Sequence, residues 1–249
     1  MQNSFAQGCS DAGVCSIDGY APSILDTTRE YKSTIRFGAN YGRADHSITA
    51  IGAYLSYGIK INDKWDASVK AAMLSQADSS ISAFGLSDIY VNTTYHFFPS
   101  FSMNLGFKVP LMDASKSLDG LPLPMDFQSS LGTFDLLIGF RYQYRFLQLM
   151  AGYQQPLTQN KNAFLSELYP DSHQFSTYQS TNQFVRSPDA IFRAAFVLGL
   201  AQKLYFTPSA LFLPWSCGTG CWLRYSRASF KFRLSQFLLK NSLIARALI

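Results

Sequence analysis

Hydrophobic and polar side chains alternate with a period of two along most of this chain, and the segment 85–111 shows the pattern twice in succession. A period of two is that of a β-strand, whose successive side chains lie on opposite faces. Because only Phe98-Pro99-Ser100 separates the two halves, we expect an antiparallel hairpin. Each half has about ten residues, the length that a tilted strand needs to cross a hydrocarbon layer roughly 25–30 Å thick. The apolar face of this hairpin carries Ile89, Val91, Thr93, Tyr95, Phe97, Met103, Leu105, Phe107, Val109 and Leu111.

The same alternation recurs from Tyr31 to Leu234. We therefore predict one all-β domain, an antiparallel transmembrane β-barrel of about 10–12 strands over residues 31–234. An irregular segment, 1–30, precedes it, and an atypical tail, 235–249, follows. The tail has the leucine spacing of a short helix and lacks the aromatic last residue on which such barrels often end. A truncation or a frame error before the last strands is an explanation that we leave open.

The predicted connections alternate in length. Those near residues 62, 99, 146 and 202 are short, whereas those after 76, 111, 158 and 214 are longer. Short turns at one rim and long loops at the other are typical of outer-membrane barrels, with the short turns on the periplasmic side. An aromatic belt is expected at a membrane interface. The aromatic residues predicted near the short-turn rim are Trp65, Phe97, Phe98, Phe101, Tyr144, Phe146 and Tyr205.

Composition narrows the class of protein. Apolar residues make up 47 % of the chain, yet no stretch approaches the roughly 18 uninterrupted apolar residues of a spanning helix, which excludes a helical membrane protein. Charged residues, at 15 %, are sparse beside the roughly 25 % of soluble domains. A soluble sandwich or lipocalin-like barrel would also alternate, with its apolar face inside. Strand length, loop asymmetry and the level of the aromatic residues favour the membrane barrel.

The four cysteines form two local pairs, Cys9 with Cys15 and Cys217 with Cys221. An oxidising compartment would let each pair close a small disulfide loop, and free thiols are the alternative. A metal site is disfavoured because neither pair has the Cys-x-x-Cys spacing and no histidine lies nearby, so we expect no metal and no cofactor. Ser4-Phe5-Ala6 has the small-x-small form of a signal-peptide cleavage site, and we expect the leader itself to precede Met1.

The charges are distributed singly along the strands. The net charge is +5, and no motif that binds nucleic acid is present, so we do not expect a nucleic-acid partner. If the apolar faces meet lipid, the opposite faces line a lumen. An excess of basic residues there predicts a positive interior that favours anionic solutes, although pairing among Asp88, Asp135 and Arg141 would reduce it. The predicted lumen-lining residues are Arg36, Lys60, Lys70, Lys108, Arg141, Arg145, Arg193, Arg227, Lys231 and Arg233, with Asp66, Asp88 and Asp135.

Two other classes of function remain open. An outer-membrane hydrolase would need a base beside a nucleophile, and His46 with Ser47 and Asp45 is the only candidate at the long-loop rim. Adjacent positions on a strand point to opposite faces, so His46 and Ser47 would not bond unless this joint is a turn, and we expect no enzyme. A structural or ligand-binding surface barrel would act through its long loops, 112–130 and 158–188.

A family resemblance rests on several motifs: GCSDAGVCSI, INDKW followed by GLSDIYV, LGTFDLLIGF, AGYQQPLTQNKNAF and LYPDS. Over roughly residues 8–214 the chain resembles a group of largely uncharacterised bacterial outer-membrane β-barrels. These are similar to the transport barrels of the phenol meta-cleavage pathway and of the long-chain fatty-acid transporter group. The resemblance implies a signal peptide, residence in the cell outer membrane and contact with its lipid. It also implies a channel or transporter for small hydrophobic or anionic solutes, by analogy alone.

Overall fold

The computed structural model describes residues 32–43, 45–182, 185–201, 204–206, 209–212 and 229–231. These residues form antiparallel sheets with a few short 3-10 helices and no α-helix. The all-β antiparallel prediction is confirmed. Among the described residues no helix has the length and hydropathy needed to cross a membrane.

The strands follow one another along the chain in a simple order. They are β1 (Ser33–Arg43), β2 (Thr49–Lys60), β3 (Trp65–Ala77), β4 (Ser82–Phe98), β5 (Phe101–Pro110), β6 (Ser117–Leu118), β7 (Leu121–Pro122), β8 (Asp135–Tyr144), β9 (Leu147–Pro156), β10 (Asp189–Phe196), β11 (Leu198–Ala201), β12 (Leu204–Phe206), β13 (Ser209–Phe212) and β14 (Ser229–Lys231). The 3-10 helices are Asp45–Ser47, Met125–Phe127, Ser166–Leu168 and Gln174–Thr177.

One sheet contains ten of these strands in the order β1-β2-β3-β4-β5-β8-β9-β10-β13-β14. Its eight long strands curl into a half-barrel. Two small hairpins, β6–β7 and β11–β12, lie outside the sheet. The alternation of the sequence continues from Ile191 to Ala201, but β10 stops at Phe196, and the residues from Leu198 pair with β12 instead.

Among the described residues the connections have the predicted asymmetry with one correction, while the predicted connections near 202 and after 214 lie outside these residues. Turns at 61–64, 99–100 and 145–146 are short, and the connections 111–134 and 157–188 at the opposite rim are long. The connection after β3 is shorter than predicted, because β3 continues to Ala77 and β4 already begins at Ser82. Asp78 closes this turn by accepting hydrogen bonds from the backbone N–H groups of Ser80 (2.7 Å) and Ile81 (2.8 Å).

The fourth strand has 17 residues and contains a bulge. Its register against β3 shifts between Leu86 and Ile89, which adds one residue to β4. The extra residue resets the alternation so that Asp88, Tyr90 and Asn92 lie on the same face and are buried.

The two faces of the sheet differ in burial in a way that is opposite to a soluble domain. On the outer face, large apolar side chains are exposed, for example Phe37 (85 %) and Leu105 (38 %). On the inner face, polar and charged side chains are buried; these are Ser56, Lys70, Gln76, Asp88, Asn92, Ser102, Asn104, Lys108, Asp135, Gln148 and Gln154. Soluble proteins almost never bury unpaired charges or leave whole strands of apolar residues exposed.

Aromatic rings follow the outer face near the short turns. Trp65 lies 4.7 Å from Tyr95, Tyr95 lies 4.7 Å from Phe97, and Phe97 lies 5.5 Å from Phe101, measured between ring centroids. Phe101 continues the row to Phe140 at 6.3 Å on the next strand. The predicted aromatic level therefore contains Trp65, Phe97 and Phe101 in one contiguous row across four strands.

A separate apolar core lies at the rim of the long connections. We call it the cap cluster, and it consists of Ile48, Ala83, Leu123, Phe127, Phe164, Tyr169, Phe175 and Tyr178. The rings of Phe127 and Phe175 are 5.5 Å apart, and those of Phe175 and Tyr178 are 5.3 Å apart. The cluster takes residues from three connections and from the start of β4, so the two long connections are packed against each other.

Glycines on the inner face make room for long polar side chains of the neighbouring strand. A Cβ atom at Gly106 would overlap the Asn92 amide and lie 3.1 Å from the carbonyl oxygen of Val91. A Cβ at Gly38 would overlap the ring of Tyr54. Side chains that lie flat over a neighbouring glycine are a device of curved sheets.

Gly106→Ala is expected to lower the free energy of unfolding by about 1–3 kcal/mol, because a methyl group would displace the buried Asn92 amide. Urea unfolding in detergent micelles measures this. Gly42→Ala is the matched control, since nothing lies within 4 Å of a Cβ there. In the double variant with Asn92→Ala, part of the free energy of unfolding lost in Gly106→Ala should be recovered. If the losses of the two single variants simply add in the double variant, the steric explanation is contradicted.

Candidate functional site

A row of inner-face residues crosses the sheet at one level. The strand register pairs Arg36 with Ser56, Ser56 with Lys70, Lys70 with Tyr90, Tyr90 with Lys108, and Lys108 with Asp135. Directly paired residues lie on the same face, so this row brings three basic side chains and one carboxylate onto one band of the inner wall. The alternation of the sequence creates the band, because each of these positions is a polar position of its strand.

The most buried part of the band is an ion network around Asp135. Lys108 Nζ lies 2.8 Å from Asp135 Oδ2, and Arg186 Nη1 lies 3.1 Å from the same oxygen. The amide of Gln154 also donates to it. Lys108 is 1 % and Asp135 is 0 % exposed. Burial at this level is tolerated only for charges that are paired and hydrogen-bonded, and here three donors converge on a single oxygen.

Thr133 joins the two cations. Its hydroxyl oxygen accepts from Lys108 Nζ (3.1 Å) and from Arg186 Nη1 (3.2 Å). The other guanidinium nitrogen, Arg186 Nη2, lies 3.1 Å from Asp189 Oδ2. Asp189 is the one partly exposed member of the network, with 41 % of its side chain accessible. The network therefore runs from a fully buried carboxylate to one that solvent reaches.

Arg186 belongs to the long connection 157–188. Its backbone N–H donates to Gln159 Oε1 at 2.8 Å, so both ends of the connection meet at this residue. Farther along, Thr181 and Asn182 donate backbone hydrogen bonds to the carbonyl of Phe164. The Arg186 side chain thus ties the base of the long connection to the inner wall.

The connection 111–134 is tied to the same face at other points. Ser130 donates to Asp88 Oδ1 at 2.6 Å, and Gln76 Nε2 donates to the carbonyl of Gln128 at 3.1 Å. Gly132 has a positive φ of 68°, and a Cβ there would overlap the backbone of Asp113, so glycine is required where this segment turns. Segment 123–133 consequently lies over the inner face at the long-loop rim.

A second polar group lies nearer the short turns. His96 Nε2 is 2.7 Å from Asp66 Oδ2, and Asp66 also attracts the half-buried Arg141. Between this group and the Asp135 network, the ammonium of Lys70 lies 4.3 Å from the ring centroid of Tyr54 and 5.8 Å from that of Tyr90. A cation over an aromatic face is stabilised by the ring quadrupole.

Several buried oxygens lack a donor among the described residues. They are Gln76 Oε1, Asn92 Oδ1, Asn104 Oδ1, Asp135 Oδ1 and Gln148 Oε1. The amide of Asn104 is oriented by its bond to Thr94 Oγ1 (3.0 Å), which leaves its oxygen directed away from that hydroxyl. Unpaired acceptors of this kind are expected to face water or a polar solute.

The cap cluster has a polar edge with shifted acidities. Burial alone would raise the pKa of Asp78, but hydrogen bonds from Ser80, Ile81 and Gln174 hold it below its ordinary value. Burial, together with the charges of Asp78 and Asp126, raises the pKa of Tyr178 to about 12. A neutral phenol is therefore strongly preferred at this point of the cap cluster.

The predicted lumen-lining residues fall into groups. Lys70, Asp88, Lys108 and Asp135 are buried on the inner face, and Lys60, Asp66, Arg141 and Arg193 are half-buried there. Arg36 lies on the inner side of the edge strand β1 but is exposed. Arg145 is not on the strand face, because it occupies the tight turn with a φ of 52° and its guanidinium lies 5.4 Å from the Tyr144 ring. Arg227, Arg233 and the four cysteines Cys9, Cys15, Cys217 and Cys221 lie outside the described residues, and Lys231 is described only as the end of β14.

The expected pairing of Arg141 with Asp88 and Asp135 is wrong. Asp135 pairs with Lys108 and Arg186, and Asp88 accepts from the hydroxyls of Ser130 and Ser87. The predicted excess of positive charge is reduced accordingly. Apart from the exposed Arg36, the basic residues on the described inner face are Lys60, Lys70, Lys108, Arg141, Arg186 and Arg193, and the acidic residues there are Asp66, Asp88, Asp135 and Asp189.

Sequence reasoning missed Arg186 as a partner of Asp135, and it missed Asp189 and Thr133 as partners of Arg186. Arg186 is the last charged residue before β10, and Asp189 begins that strand, so both stand at the boundary between an irregular connection and a strand. Periodicity carries no information there. Their position is the signal that could have been used. Arg186 and Asp189 are three residues apart at the start of β10, and the neighbouring strand β9 carries polar side chains on its inner face.

The His46 candidate also has a clear position. His46 and Ser47 both have positive φ angles in the turn after β1, and the His46 ring stacks on Tyr178 with centroids 4.1 Å apart. The joint is thus a turn, but within the described part of the chain no hydrogen bond connects His46 to Ser47. In the same residues no group of three or more His, Cys, Asp and Glu side chains is placed to hold a metal ion.

Comparisons with known proteins add no identity. No protein-family model matches the chain, and no curated protein matches it either.

Asp135→Asn is expected to lower the free energy of unfolding by about 3–5 kcal/mol, because it leaves Lys108 and Arg186 buried without their counter-charge. Urea unfolding in micelles measures the change. Asp63→Asn is the matched control: Asp63 lies 2.9 Å from Lys60 but is exposed, so no measurable loss is expected. Equal losses in the two variants would contradict a special role for burial.

Ionisation of Tyr178 gives a prediction at high pH. Because its folded pKa lies above the usual value of ~10, the unfolded chain loses the proton first, and the cap cluster should lose stability as the pH rises from about 10 towards 12. Tyr178→Phe should remove one phenolate transition near pH 12 from the absorbance titration at 295 nm. Removal of a transition near pH 10 instead would show that the phenol is not shielded.

Proposed function

We propose that this chain is an outer-membrane β-barrel that acts as a channel or transporter for small solutes. The observation that carries the proposal is the inverted burial of the sheet: apolar side chains are exposed on the outer face, and polar and charged ones are buried on the inner face. Such a sheet is matched to hydrocarbon outside and to a polar interior. The proposed partners are outer-membrane lipid and a small solute, and the proposed location is the cell outer membrane.

Two further features support this orientation. The aromatic row from Trp65 to Phe140 lies at the level of the short turns, where a membrane interface is expected. The long strands β1–β9 have between 10 and 17 residues apart from the hairpin β6–β7, which suits tilted strands in a bilayer. These features are general for membrane barrels, so they bear on the class of protein and not on the solute.

The inner face suits a small polar or anionic solute. Basic residues outnumber acidic ones on it, and Lys70, Arg141 and Arg193 lie on different strands, so a positive potential extends around the wall. The Asp135 network and the overlying segment 123–133 narrow the interior at the long-loop rim. Passage through the proposed channel therefore requires these segments to move.

A surface-binding role for the long connections is less well supported. Their large aromatic residues, Phe127, Phe164 and Phe175, are 0 % exposed and pack on one another. A loop that binds an external ligand by apolar contact would present such residues to solvent. We therefore assign the long connections to closure of one rim.

Leu105→Arg tests the lipid-facing orientation. In a bilayer an arginine at the middle of an outward-facing strand is expected to cost about 2–4 kcal/mol, whereas at an exposed position of a water-soluble sheet it costs almost nothing. Unfolding in phospholipid vesicles gives the difference. The control is Leu118→Arg, an exposed position in the β6–β7 hairpin outside the sheet. A neutral Leu105→Arg, or a chain that is monodisperse without detergent, would contradict the proposal.

A further inference from the structure

The Asp135 network has the composition of an anion-binding site whose ligand is a residue of the protein. An ammonium, a guanidinium nitrogen and an amide all donate to one carboxylate oxygen, Asp135 Oδ2. The second oxygen, Oδ1, is buried and has no donor among the described residues. The donors therefore match a carboxylate, but Asp135 uses only half of its accepting capacity in this position.

We propose that Arg186 is an anion-binding residue, that Asp135 and Asp189 hold it on the inner face in the closed state, and that a carboxylate-bearing solute replaces them as its partner and so releases the long connection 157–188 from the wall. This inference rests on the proposed channel function and names the class of solute and the way it gains passage.

The energetics favour exchange of the partner of Arg186 over its simple release. Withdrawing Arg186 leaves Asp135 paired with Lys108 at 2.8 Å and hydrogen-bonded by Gln154, so the buried carboxylate keeps a counter-charge. The guanidinium, in contrast, loses its partners Asp135 and Asp189, and a solute carboxylate compensates for this loss by forming a new charge-assisted pair with it. The connection is therefore held closed in the absence of such an anion, and pairing with the anion removes the reason for Arg186 to stay on the wall.

The anion can approach Arg186 from one side. Asp189 binds the outer nitrogen of Arg186 at 3.1 Å and is 41 % exposed, whereas Asp135 is fully buried. An incoming carboxylate can therefore reach Arg186 from the exposed Asp189 side. The backbone of Arg186 is hydrogen-bonded to the side chain of Gln159 at the other end of the connection, so release of the Arg186 side chain frees both ends from the inner wall together.

Cleavage by a glutamate-specific protease measures this loosening. The chain has only two glutamates, Glu30 and Glu167, and Glu167 lies in the 3-10 helix Ser166–Leu168 within the connection. Its neighbours Phe164 and Tyr169 are buried in the cap cluster, so cutting after Glu167 requires the connection to detach. The full chain in lipid vesicles is digested in sodium chloride and in sodium acetate at equal ionic strength.

Acetate is expected to speed cleavage at Glu167 about fivefold or more, which is the lower end of the coupling usually found between two sites. Arg186→Gln should be cut rapidly in both salts. Lys161→Gln, a change of an exposed basic residue in the same connection, should behave as the unaltered protein, and Arg186→Lys should restore slow cleavage in chloride with an acetate response.

Equal cleavage rates of the unaltered protein in the two salts would overturn the inference, even if Arg186→Gln failed to fold. An acetate response that survives in Arg186→Gln would overturn it as well. Solute flux into the same vesicles separates the two proposals. Absence of flux with the acetate response intact refutes the channel, whereas flux without an acetate response refutes the anion site.

Discussion

Pairing of charge on the inner face is the constraint on which the rest of this structure depends. A sheet whose outer face is apolar must collect its lysines, arginines and aspartates on the other face, and there they are too deeply buried to be solvated separately. Asp135 meets this constraint by accepting from Lys108, Arg186 and Gln154 at once. Since Arg186 comes from the long connection, neutralising the wall and closing the rim are one event.

The cap cluster answers a different requirement at the same rim. The connections that close over the inner face carry backbone groups and apolar side chains that need partners of their own. Phe127, Phe164, Phe175 and Tyr178 supply a dry aromatic core, while Asp78, Gln128 and Asn162 satisfy the backbone and side-chain polar groups around it. At this rim the apolar side chains are buried and form a small globular unit, whereas in the sheet the apolar side chains are exposed and the polar ones are buried.

The sequence predicted the parts of the fold that follow from periodicity. Alternation placed Lys108 and Asp135 on one face before their pairing was known, and it located the hairpin 85–111, which corresponds to β4 and β5. The end of β10 was missed because the residues after Phe196 keep the alternating pattern although they pair elsewhere. The partner Arg186 was missed because irregular connections have no period, and only the folded path shows which wall residue they reach.

The core formed by the connections was missed for a related reason. Their aromatic residues are spaced unevenly among Ser, Gln and Asn, so they show no apolar face. A core assembled from three separate connections and the start of a strand leaves no periodic signal in any one of them. Arg145 was misplaced since the alternation was continued one residue into a turn, where a positive φ redirects the side chain.

The bulge in β4 has a consequence for how this chain tolerates change in length. Below it, from Ile89 onward, even-numbered positions face inward; above it, Ala83 and Gly85 do. A one-residue deletion or insertion in the upper part of this strand can therefore be absorbed by losing or moving the irregularity. The same alteration at Asn92 or Thr94 would turn half a strand inside out, placing amides on the apolar outer face and valines on the charged inner face.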